Sequence, residues 1–117
     1  MLTDKILIDR SATLIAIRAN PAVTTAACSG ILGSVGDYFV TDATWKCSTE
    51  GAGAWYTLGF NDSAWPNAVD YGLNSEPFLC PHRYELPEIS SSAHWIYTAD
   101  QTLPANCRGY LRKFQFV

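Results

Sequence analysis

Hydrophobic residues in this chain come in short runs broken by glycine, proline or small polar clusters, and no run sustains the helical period of about 3.6 residues. Residues 5–8 are apolar and β-branched, followed by the turn-like Asp9-Arg10-Ser11, and predict a strand. Residues 13–19 are apolar on both faces until Arg18 and predict a central, buried strand that Asn20-Pro21 ends. Glycines in 30–36 suit a tightly curved strand that continues through 37–41. A turn at 41–44 then leads into Trp45-Lys46-Cys47, and 50–53 is a flexible loop. Residues 60–66 predict a single helical turn capped by Asp62 or Ser63 and stopped before Pro66. A short strand is expected at 68–71, and a long connection at 72–92 carries Pro77, Pro81 and Pro87. Strands at 94–98 and 108–116 finish the chain, the last with plain two-residue alternation. Many short strands and no convincing helix describe an all-β sandwich or jelly roll.

The chain has 117 residues, enough for one domain over 1–117 and too few for two. With 48% hydrophobic and 16% charged residues it is expected to pack rather than stay disordered. A net charge of -3, with the basic residues scattered, offers no footprint for nucleic acid. The apolar runs fall well short of the roughly 20 residues that span a bilayer, so no membrane partner is expected. The opening Met1-Leu2-Thr3-Asp4-Lys5 lacks the pattern of a signal peptide, which implies a leader already removed or an excerpt of a longer chain. Cys28, Cys47, Cys80 and Cys107 are too far apart for a usual zinc site and suit two disulfides in an oxidising compartment, although reduced core thiols in a cytosolic protein would give the same pattern. Their spacing alone leaves all three pairings open.

Little in the sequence points to catalysis. His94 sits in a predicted strand as a packed residue, and His82 in the long loop is the better functional candidate. No serine lies in a nucleophile elbow; the carboxylates Asp37, Asp42, Asp62 and Asp70 could include a pair, but glycoside hydrolysis needs two at a controlled separation in a cleft, which a sequence does not display. Trp45, Trp65 and Trp95 are expected in the core. Trp55-Tyr56 differs, because it follows the 51–53 loop, where a ring can stack on the apolar face of a sugar. Asn74, Glu76, His82, Arg83 and Tyr84 add the amide, carboxylate, guanidinium and ring chemistry that sugar sites use.

Three segments together carry a resemblance: Gly30-Ile31-Leu32-Gly33-Ser34 leading to Val40-Thr41-Asp42-Ala43-Thr44-Trp45-Lys46-Cys47, then Phe60-Asn61-Asp62-Ser63-Ala64-Trp65-Pro66-Asn67-Ala68-Val69, then Ala93-His94-Trp95-Ile96-Tyr97-Thr98 before Cys107-Arg108. They resemble the galactose-binding-like jelly rolls, a superfamily of lectin-like invertebrate modules and rhamnosidase-associated β domains. The resemblance implies a non-catalytic, secreted, carbohydrate-binding module with a sugar or glycoprotein partner, and pairings Cys47–Cys107 and Cys28–Cys80. It also implies calcium as an occasional ligand near Asp37, although no loop has EF-hand spacing. The family's opening strands are missing before 5–8, which implies an open sheet edge that a second copy or a partner chain would fill, as in an adhesive module. Asn61 stands where the family motif has aspartate, and Asn61-Asp62-Ser63 becomes an N-glycosylation acceptor sequence.

Overall fold

The computed structural model describes residues 13–20, 30–36, 39–51, 53–75 and 85–111. The expected strand at 5–8 and the alternating tail beyond 111 lie outside the described residues, as do Cys28, Asp37, Glu76, Cys80, His82, Arg83 and Tyr84. What is described is all-β, with seven strands and no helix: β1 (Leu14–Ala19), β2 (Ser34–Val35), β3 (Phe39–Val40), β4 (Lys46–Ser48), β5 (Val69–Leu73), β6 (His94–Tyr97) and β7 (Ala105–Tyr110).

These strands form three small antiparallel sheets, ordered β1-β7-β4, β2-β3 and β5-β6. The centre of the largest is β7, and β1 lies at its edge among the described residues, partly rather than fully buried. This corrects the expectation that 13–19 is the central strand. Apolar character on both faces made β1 look central, whereas the strand that is buried on both faces is the more polar Ala-Asn-Cys-Arg-Gly-Tyr of β7.

Residues of β7 alternate between two faces. Ala105, Cys107 and Gly109 face the hydrophobic cluster, in which Trp45, Cys47, Ala105 and Cys107 meet Ile31, Ala68, Ile96 and Tyr97, flanked by Ile15, Ile17, Phe39 and Tyr71. The Cys47–Cys107 disulfide joins directly opposed residues of β4 and β7 and is fully buried. It closes a sequence separation of 60 residues, for which chain-entropy reasoning gives a stabilisation of roughly 4 kcal/mol. Gly109 leaves room for the Trp45 indole, since a Cβ there would lie 2.2 Å from the ring. The indole is held by a hydrogen bond from Nε1 to Val40 O (3.2 Å) and by stacking on Phe39.

Thr41, 1% exposed, ties the β2-β3 hairpin to β6. Its hydroxyl donates to His94 O (2.7 Å) and accepts from Gly33 N–H (3.1 Å), and its own carbonyl accepts from His94 N–H (2.8 Å). Ile31 and Ile96 exchange a reciprocal backbone pair beside it. Gly72, with φ 118°, occupies the irregularity between Asp70 and Leu73, a conformation that a side chain would strain. The free side of β4 is covered by 66–68, where Cys47 N–H donates to Pro66 O and Ala68 N–H to Trp45 O.

The expected helical turn at 60–66 is instead a turn between strands, closed by Trp65 N–H to Asp62 O (2.9 Å). Asn61 caps it, its Oδ1 accepting from Ser63 N–H. Asp62, expected with Ser63 as an alternative helix cap, faces inward because a buried cation claims its carboxylate.

Candidate functional site

That cation is Arg108, on the face of β7 opposite the hydrophobic cluster. Asn106, Arg108 and Tyr110 share this face with Ser48 and Lys46 of β4, the register partners of Asn106 and Arg108, and the segment 53–66 supplies contacts to it from residues 55, 57, 60 and 62. Arg108 is fully buried. An arginine has five N–H donors, and each is spent here. Nε donates to Asp62 Oδ2 at 2.9 Å, and NH1 donates to the carbonyls of Trp55 and Thr57. NH2 donates to Tyr110 Oη at 2.8 Å and, at 3.4 Å, to Phe60 O. Tyr110 passes its own hydroxyl proton on to Asp62 Oδ2 (2.8 Å). The guanidinium also lies over the Phe60 and Tyr110 rings, at 5.2 and 5.5 Å.

Electrostatics follow from this arrangement. Burial pushes the Asp62 carboxyl up, but hydrogen bonds from Arg108 and Tyr110, with the charges of Arg108 and Lys46, outweigh it and hold the group below the ordinary carboxylate value. Burial pulls Arg108 down, and its bonds to Tyr110 and Asp62 more than restore it. The pair stays ionised at neutral pH, and the charge is saturated by its own chain. Asn106 Oδ1, one strand position away on the same face, has no hydrogen-bond partner among the described residues although it is buried.

The segment that Arg108 contacts is aromatic. Tyr56 meets Trp55 edge-on at 5.9 Å, Trp55 stacks on Trp65 at 6.3 Å, and Phe60 meets Trp65 at 5.4 Å, so four rings run in a row. Trp55, Phe60 and Trp65 are half-buried, whereas Tyr56 and Leu58 stand 62% and 61% exposed. Trp65 thus belongs to this row, while Trp45 and Trp95 are buried as expected. The carbonyls of Trp55 and Thr57, on either side of Tyr56, are the two that Arg108 NH1 holds.

Asn74 lies elsewhere and serves its own loop. It is 2% exposed; its Nδ2 faces the carbonyls of Leu86, Ile89 and Ser90, and its Oδ1 accepts from Leu86 N–H. The structure thus places Asn74 in the support of the 86–90 turn, with both amide protons directed at its carbonyls. That turn walls a shallow cleft lined by Ser34, Glu85, Glu88 and Ser91. His94 is half-buried on β6, its Nδ1 2.8 Å from Asp70 Oδ2 but without the alignment of a hydrogen bond. No group of three or more His, Cys, Asp or Glu converges on a common point among the described residues.

Sequence reasoning did not find Arg108 or the inward role of Asp62. The available signal was scarcity: Asp62 is the only charged side chain from 53 to 66, so a cation buried beneath that segment had only it to match. Comparison of the chain with family models, with curated proteins and with solved structures finds no match.

Proposed function

We propose that this chain is an extracellular, non-catalytic carbohydrate-binding module, built as a jelly-roll-like sandwich, whose binding face is the aromatic row of 53–66 with Tyr56 and Leu58 at its tip. The observation that carries the reading is an exposed tyrosine flanked by two carbonyls fixed on a buried arginine. An exposed apolar tip on a mobile loop would lose much of its binding energy to ordering; a tip already held in place does not. Rings that present a face while the backbone is fixed suit the apolar face of a sugar. The segment 53–66 has no lysine or arginine to meet a carboxylate and its one acid is internally paired, so the ligand that fits is neutral rather than acidic. The buried disulfide is compatible with an extracellular protein, and no helix among the described residues is long and apolar enough to cross a membrane.

A glycan array followed by calorimetry tests this. Binding to neutral glycans is expected, insensitive to salt and weakened roughly tenfold by Tyr56→Ala, the size of one lost aromatic contact. Absence of binding to every neutral and acidic glycan, by a folded sample, sinks the proposal. A second reading, an adhesive module that assembles through a sheet edge, is favoured by β1 having only β7 beside it among the described residues. Concentration-dependent dimers in light scattering would support it, and a strict monomer would remove its motive.

A further inference from the structure

Of the five asparagines in the chain, only Asn61 heads an Asn-X-Ser/Thr sequence in which X is not proline. A sequon buried against Trp65 would have no use, but Asn61 and Ser63 are both exposed, and it is Asp62 between them that turns inward to Arg108. The Asn61 Oδ1 is occupied by Ser63 N–H at 3.0 Å, while its Nδ2 has no protein partner among the described residues. The turn is thus maintained by the atom that glycosylation leaves alone, and the atom that glycosylation substitutes is free.

We propose that Asn61 is an N-glycosylation site. In the transfer, Nδ2 forms a bond to the anomeric carbon at the reducing end of a polyprenyl-pyrophosphate-linked oligosaccharide. The bond from that carbon to the pyrophosphate oxygen breaks, the lipid pyrophosphate leaves with the electron pair, and the amide gives one proton to a base; nothing is oxidised or reduced. The glycan emerges next to Phe60, at the end of the aromatic row away from Tyr56. The proposal rests on export of the chain but not on its binding a sugar, so either can fail alone.

The test is expression behind a cleavable signal sequence in a glycosylating eukaryotic host, with peptide mass spectrometry of the secreted protein. The expected result is a glycan on the peptide containing Asn61, which peptide:N-glycosidase removes to leave aspartate. Ser63→Ala abolishes it with the fold intact, because the turn uses the backbone N–H of residue 63 and not its hydroxyl. Should the chain be retained in the cell, translation with microsomes gives the same readout on the translocated chain, where a mobility shift lost in Asn61→Gln supports the site. An unmodified Asn61 in the secreted or translocated chain, beside a reference glycoprotein modified in the same sample, overturns it.

Discussion

The two faces of β7 are both buried, yet they are stabilised by different physics. On one, Cys107 and Gly109 accept a disulfide partner and an indole ring, and what matters is shape. On the other, Arg108 is packed just as completely, and what matters is that every donor meets an acceptor. The shape-filled face binds sheet to sheet and makes the fold. The face whose arginine is saturated binds a loop to a sheet, and so fixes the geometry of an exposed aromatic tip.

Of the two faces, the polar one is expected to be the more costly to disturb. Arg108→Met leaves the Asp62 carboxylate beneath the loop without its cation, and a loss of about 3–5 kcal/mol is expected, the usual cost of stripping one partner from a buried pair. Urea denaturation measures it, and adding Asp62→Leu to the same chain is expected to return much of the loss. If the double variant is no more stable than Arg108→Met, the pair is not what couples loop to sheet. On the apolar face, Gly109→Ala drives a methyl into the Trp45 ring, and a smaller cost of about 1–3 kcal/mol is expected. A neutral or stabilising result would mean the indole can move aside.

Acid sharpens the contrast more gently. Asp62 has a folded-state pKa below its unfolded value, so its contribution is complete above the unfolded carboxylate value of about 3.9 and disappears as pH falls through the lower folded one. Thermal melts across the acid range should show this limb in the wild type and a flatter one in Asp62→Asn. Equal slopes in the two would place the acid sensitivity elsewhere.

The same contrast explains what could be read in the sequence. Strands β1 and β6 are legible because their burial is carried by apolar side chains, and the 41–44 turn by its small polar residues. The Cys47–Cys107 bridge follows from the resemblance and is present. The first half of β7 was not legible, since Asn106 and Arg108 read as exposed in any hydrophobic pattern, and the strand was expected only from 108. Arg108 is buried for reasons that depend on carbonyls of residues 55–60, some fifty positions earlier, and no local pattern carries that. The part Asn74 plays in its own loop was equally hidden: an amide in a proline-bearing loop looks available until its partners at 86–90 are known.

Arg108 makes 55–65 part of the folded body rather than a loose loop, and amide hydrogen exchange measures this residue by residue. Thr57, Phe60 and Trp65 donate their N–H groups within the segment, and in the wild type they should exchange nearly as slowly as the amides of β7. Fast exchange at these three positions while β7 stays protected would show the arginine buried under a segment that it does not hold.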